Sequence, residues 1–366
     1  MNCFERLSAW MEPVWKGDHL VDECVLFTQT TDGQPVQPCR LLFKPSSVLE
    51  VRNDYLGIVY KEGIDYIIDD GAILLSENSR IPFFGYDELY LREPASIPIK
   101  SVNAPGRYVR YEAAGVETIK RQIKVSYTHT GNDSFSAPHS MKAFFPRTVE
   151  KLVNKQPLKI VFCGDSVMEG CDASGKTGLS PYMPQIDRLA VYKLADWYEH
   201  SRIHFVNTSV SGTTSQWGFE NVHSRVINFN PDLVIFRFGV NDGSSGKPAE
   251  RYAENICRTA ETLRSAVPKS ECLIMTSDLP NADCDGWMGT NEDLEPALQR
   301  KIKNQDGTAI LYIKDLYKQI RAVKGYYSLT ANFVNHPNDF MIRLYAQLLC
   351  AVLGVYEEAN PTRCLL

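Results

Sequence analysis

From about residue 158 onward, short apolar runs alternate with longer amphipathic stretches, and that alternation leaves few folds open. The spacing predicts strands at 160–163, 204–207, 233–238, 272–276 and 309–313. It predicts helices at 186–199, 216–228, 249–266, 292–303, 315–324 and 339–353. Four β-formers ended by glycine, as in Ile160-Val-Phe-Cys-Gly164, read as a strand buried on both faces. Strands that alternate with helices build a parallel sheet with helices on both sides. Such sheets take their ligands in the crevice at the carboxyl ends of the strands.

Residues 18–128 follow a different rule. Short apolar or alternating runs at 20–28, 39–43, 48–51, 57–60, 66–68, 72–75, 107–111 and 122–127 are separated by turn signals, among them Asp32-Gly33, Glu62-Gly63 and Asp70-Gly71. Regular short strands with such turns predict an all-β sandwich. Trp15, Tyr55, Tyr60, Tyr66 and Tyr86 are read here as core aromatics rather than as stacking platforms for sugar rings. The polar stretch Gly131 to Pro138 has linker composition. The division expected is 1–145 for the β-sandwich and 146–366 for the α/β domain, with a proline-led helix at 146–153 opening the second.

Composition narrows the functional classes. The formal net charge is −5 with no basic tract, which speaks against a nucleic-acid partner. No run is long and apolar enough to span a membrane, and the first residues lack a signal-peptide pattern. The cysteines are scattered without a CxxC pair, and Cys163, Cys272 and Cys350 sit inside apolar runs. Reduced thiols in a cytoplasmic protein are expected, with no cofactor and no metal. One segment, Asn281-Ala-Asp283-Cys-Asp285-Gly286 with Glu292 beyond it, partly matches a calcium loop. Its first position is asparagine and a strand precedes it, so a long loop overhanging the site is the reading kept.

The chemistry lies in four blocks. Gly164-Asp165-Ser166 follows the first strand, with Gly170 beyond. Asn207-Thr-Ser-Val-Ser-Gly212 follows the second strand, and Gly239-Val-Asn241-Asp242 the third. His336-Pro337-Asn338-Asp339 precedes the last helix. Each block alone is ordinary turn or cap chemistry. Together they supply an acyl-transfer site: a serine that attacks, a histidine that moves its proton, and N–H donors for an oxyanion.

In this order the blocks resemble the SGNH, or GDSL, hydrolase family, over roughly residues 146 to 356. The resemblance implies a flavodoxin-like three-layer α/β/α domain and ester hydrolysis. It implies Ser166 as nucleophile and His336 as base, with an oxyanion hole from the Ser166 and Gly212 N–H groups and the Asn241 side chain. The family's orienting aspartate stands three residues before the histidine, and here that position is Phe333. A Ser-His dyad is therefore expected, assisted by Asn332, the nearest polar residue, or by a backbone carbonyl. Glu169 and Asp242 rank lower for that role, and Asp339 reads as a helix cap. Asp165 reads as a brace of the nucleophile turn and, with Trp217 and Trp287, as a candidate substrate contact. Tyr182 is a further pocket candidate, with core packing equally open to it and to Trp217 and Trp287. SGNH domains joined to a β-sandwich resemble microbial carbohydrate acetylesterases. The expected substrate is thus a small-molecule or oligosaccharide ester, with a lipid esterase or an inactive sugar-binding protein as alternatives. The sequence does not fix an oligomeric state.

Overall fold

The computed structural model describes residues 3–130 and 139–357; the expected linker at 131–138 lies outside the described residues. Five strands form one parallel sheet: β1 Leu158–Gly164, β2 Ile203–Asn207, β3 Leu233–Arg237, β4 Glu271–Met275 and β5 Thr308–Leu311. Their spatial order is β2-β1-β3-β4-β5. That is the flavodoxin-like order, and its switch point lies at β1, where the chain crosses to β2 on one side and to β3 on the other.

Side chains along each strand alternate between two cores. Ile160, Phe162, Ile235, Leu273 and Leu311 face one layer, with Leu189 and Leu194 of helix Ile186–Trp197 and Leu344 and Leu348 of helix Asp339–Val352. Val161, Cys163, Val234, Phe236 and Ile274 face the other, with Val222 of helix Ser215–Arg225, Tyr252 and Leu263 of helix Ala249–Ala266, and Leu298 of helix Leu294–Lys301. The two-residue period of a strand and the 3.6-residue period of a helix give the three layers. The helices predicted from spacing all appear, and Ala249–Ala266 keeps its expected bounds.

The N-terminal region is antiparallel and β-rich. His19–Val25, Ile123–His129, Pro45–Asn53 and Ile58–Tyr60 form one sheet, and Cys39–Arg40, Ala72–Leu75 and Tyr66–Asp69 a second. The hairpin between the last two turns on Asp70 and Gly71, with φ of 42° and 79°. Both φ values are positive, as a tight two-residue hairpin requires. Helix Cys3–Trp10 precedes the strands and two short helices, Tyr86–Leu89 and Val116–Arg121, interrupt them; none was expected. Trp15, Tyr60 and Tyr66 are buried in the core, whereas Tyr55 is exposed.

One apolar core runs through both parts of the chain. Val25, Val125 and Tyr127 belong to the same cluster as Phe340, Leu344 and Leu348. Helix Asp339–Val352 is buried along its whole length, because the sheet covers one side and the N-terminal region the other. Gln347 stitches the contact: its Nε2 donates to the carbonyls of Trp10 and Glu12, both at 2.8 Å, and its Oε1 accepts from the Val14 N–H at 3.2 Å.

Candidate active site

The nucleophile turn is built by close packing at the end of β1. A methyl group on Gly164 would lie 2.3 Å from the Arg237 carbonyl oxygen, so only glycine lets β1 and β3 end side by side here. Asp165 then caps the one-turn helix Ser166–Glu169, its carboxylate accepting from the Val167 N–H at 3.0 Å. The same carboxylate takes Arg237 Nη1 at 2.8 Å, and Arg237 Nη2 meets Asp278 at 2.5 Å. All of this is buried. Burial pushes the Asp165 carboxyl up, and the Arg237 guanidinium opposes that without cancelling it. Asp165 is therefore a brace below the serine, and the expectation that it also contacts substrate fails for want of any exposed surface.

Gly170, at φ 82°, ends the short helix and turns the chain back over it. That reversal delivers Asp172, itself at φ 66°, to the histidine. His336 Nδ1 lies 2.6 Å from Asp172 Oδ2, and His336 Nε2 lies 2.9 Å from Ser166 Oγ. A carboxylate only accepts, so the ring proton sits on Nδ1, and Nε2 is left to accept from the serine hydroxyl. A hydroxyl, imidazole and carboxylate in this file can activate the hydroxyl as a nucleophile.

Asn332 was expected to hold the ring, and the structure places it elsewhere. Its Oδ1 accepts from the backbone N–H groups of Val334, Asn335 and His336 at 2.9–3.0 Å, and its Nδ2 donates to Asn335. Asn332 shapes the loop and makes no bond to the imidazole. Phe333, at the position where the family resemblance put an aspartate, points into an apolar cluster with Phe84 and Tyr327. Asp172 escaped the sequence reading because the acid was sought beside the histidine. The available signal was local: a one-turn helix closed by glycine swings the next residues back toward its own start.

The Gly212 loop is tied to the end of β1, where the Val210 N–H and the Thr213 hydroxyl donate to the Gly164 carbonyl at 3.0 and 3.3 Å, and it holds Asn241. Asn241 Nδ2 donates to the Thr213 carbonyl at 2.8 Å, which ties the carboxamide to the Gly212 loop and leaves it a second N–H. Gly212 is exposed at φ 77°, with open space where a side chain would stand. Asp242 instead accepts from the Ser215 N–H and hydroxyl and starts helix Ser215–Arg225. Glu169 accepts from the Ser211 N–H.

The two tryptophans expected at the substrate are occupied otherwise. Trp217 packs on Phe238 and under Arg225 in the outer layer. Trp287 is half-buried against the cluster that holds Phe333. Tyr182 is exposed. In the partial calcium loop, Asp283 accepts from the Ser101 hydroxyl and the Asn103 N–H, and Glu292 pairs with Lys318. Among the described residues no cluster of three or more potential ligands could hold a metal ion.

Residues 162–341 match the GDSL-like Lipase/Acylhydrolase family model, and that span includes all four blocks. The chain carries a GDSL-like acylhydrolase domain. No curated protein sequence matches the chain. Among solved structures, the chain is similar to a two-domain esterase active on acetylated mannans, at 17% identity and a TM-score of 0.46. That match covers 60% of this chain and 55% of the esterase, so the chain spans about half its length. A catalytic mutant of an acetylxylan esterase from Geobacillus stearothermophilus is similar at 19% identity and a TM-score of 0.42, covering 55% of this chain and 96% of that one. A GDSL-like lipase from Parabacteroides merdae is similar at 16% and 0.44, covering 54% and 95%. No helix among the described residues is long and apolar enough to cross a membrane.

Proposed function

We propose that the GDSL-like domain is a serine esterase that removes small acyl groups, acetyl above all, from a carbohydrate. Ser166 attacks the ester carbonyl and His336 takes its proton, later returning it to the leaving alcohol. Asp172 holds the ring in the right tautomer and stabilises the imidazolium. The Ser166 and Gly212 N–H groups and the second Asn241 N–H receive the oxyanion.

The observation that carries the reading is the unbroken file from Ser166 through His336 to Asp172. Its small-acyl part draws on the surface. None of the exposed large apolar side chains lies in the four blocks. The most accessible residues there are Ser211 and Gly212, with Glu169, Asn207, Ser209, Val210 and Asn241 half-buried. A long acyl chain needs an apolar groove, so the lipid alternative has less support. The carbohydrate part rests on the likeness of SGNH domains with a β-rich N-terminal partner to carbohydrate acetylesterases. In this proposal residues 1–145 are the partner and 146–366 the catalytic part. Cys24, Cys39, Cys163, Cys171, Cys257, Cys272, Cys284 and Cys350 are free thiols, in keeping with a reducing compartment and a cytoplasmic enzyme.

Acetate release from acetylated oligosaccharides is the test, alongside p-nitrophenyl acetate and octanoate. Acetate esters should turn over faster than octanoate, Ser166→Ala should abolish turnover, and Asn241→Ala should lower kcat by roughly 10²–10³. Octanoate preferred over acetate would move the reading to lipids. No turnover of any ester would move it to the binding protein.

A further inference from the structure

We infer that the segment 115–124 of the N-terminal region is a positioning element for the acid–base pair; this rests on the reading of Ser166, His336 and Asp172 given above. Three residues of that segment reach the catalytic loops, each at a different point. Gly115 lies where the two loops meet. A methyl group there would stand 2.9 Å from the Ala331 carbonyl oxygen and 3.3 Å from both the Ala331 and Asp172 Cβ atoms. Its φ of 59° belongs to the left-handed region, and only a residue without a side chain fits both the backbone and the gap.

Gln122 makes the second contact. It is buried, and its Nε2 donates to the Thr330 carbonyl at 3.0 Å. Thr330 and Ala331 in turn both donate to the His336 carbonyl, through Oγ1 at 3.0 Å and N–H at 2.9 Å. Two hydrogen bonds thus separate Gln122 from the catalytic residue. Lys124 makes the third. Its ammonium lies 3.5 Å from Asp339 Oδ2 in a buried pair. The other oxygen of Asp339 accepts from the Ser174 N–H at 2.9 Å, just beyond Asp172. The backbones of the acid loop and the histidine loop are therefore fixed relative to one another through the N-terminal region.

None of the three touches the reacting atoms, so their loss should act on alignment. An imidazole displaced by even about 1 Å loses on the order of 10² in rate. That loss appears in kcat with KM little changed, because substrate binding is untouched. The experiment uses the full chain with p-nitrophenyl acetate. The variants are Gly115→Ala, Gln122→Met, Lys124→Met and Lys124→Arg, with Gly106→Ala as control. Gly106 has φ 80° and open space around it, so its alanine brings the same backbone strain to the N-terminal region without contact to either loop. Folding is monitored by circular dichroism. The downfield imidazole N–H proton reports the bond to Asp172.

Gly115→Ala and Gln122→Met should lower kcat about ten- to hundredfold with KM within about twofold, and weaken the downfield signal. Lys124→Met should do the same to a smaller extent, with Lys124→Arg restoring much of the loss. Gly106→Ala should keep wild-type kcat and the signal. Should Gly115→Ala not fold, the Gln122 and Lys124 variants decide alone. Wild-type kcat in folded Gln122→Met and Lys124→Met, or an equal loss in Gly106→Ala, overturns the inference. Residual turnover in Ser166→Ala would instead sink the triad itself.

Discussion

The turn that carries Ser166 is held by charge, whereas the loop that carries His336 is held by amides. Below the serine, Asp165, Arg237 and Asp278 form a buried ionic chain that links the ends of β1, β3 and β4. Around the histidine, Asn332 Oδ1 gathers three backbone N–H groups, and Asn338 caps the following helix by accepting from Met341. The ionic chain lies within the parallel sheet and draws on residues of that domain alone. The amide loop is steadied from outside it, by Gln122 and Gly115. A charge network suits the proposed nucleophile, because it fixes the turn on the ends of the strands. The loop must instead satisfy many backbone groups in irregular chain, and short amide side chains do that without adding charge beside the imidazole.

The largest effect should come from the acid that bridges these two units. Asp172→Asn should lower kcat by roughly 10³–10⁴ while the fold stands, because the ring loses both its tautomer control and its counter-charge. Steady-state kinetics on an acetate ester checks it; a loss below tenfold would mean that the bond to His336 is incidental. Next comes the ionic side. Arg237→Met should destabilise by about 3–5 kcal/mol, since it strands two buried carboxylates. Urea unfolding measures it, and a neutral outcome would show that the chain of charges is not what holds the turn.

The amide side should respond less. Asn332→Ala leaves three backbone N–H groups without their acceptor and should cost about 1–3 kcal/mol or somewhat more. Activity should survive in the folded fraction, since the side chain does not reach the ring. Abolished turnover with unchanged stability would reverse the comparison. The smallest effect is a pH slope. Burial raises the folded Asp165 carboxyl above its unfolded value. The folded chain then binds that proton at a higher pH than the unfolded chain does. Ionised Asp165 thus weighs against folding above its raised pKa, and the cost fades as pH falls toward about 4, the unfolded carboxylate range. Asp165→Asn should show a flatter rise of stability on acidification from neutral pH. Parallel slopes in wild type and variant would remove the claim.

The parallel sheet and the four blocks were legible because each is local. Apolar runs set the strands, and Ser166, Gly212 and Asn241 lie in the segments that follow β1, β2 and β3. His336 was legible from its Pro337-Asn338 context and the helix behind it. Asp172 was not, because its role depends on a backbone reversal at Gly170 and on the approach of a loop far along the chain. Asn332 was misplaced because one-dimensional nearness to His336 stood in for contact. Trp217 packs on Phe238 and Trp287 against the Phe333 cluster, the core alternative that the sequence left open for both. The N-terminal strands were found but their role was not, since Gly115 and Gln122 acquire meaning only against Ala331 and Thr330.

Ser166 and His336 stand 170 positions apart, while Asp172 is on the serine's own turn. A ribosome adds roughly 5–20 residues each second, so on the order of ten to thirty seconds separate the hydroxyl and its carboxylate from the imidazole. Through that interval the emerging polypeptide carries a serine with no base to activate it. On the roles proposed for these residues, the order of synthesis delivers the serine and its acid first and the base that activates it last.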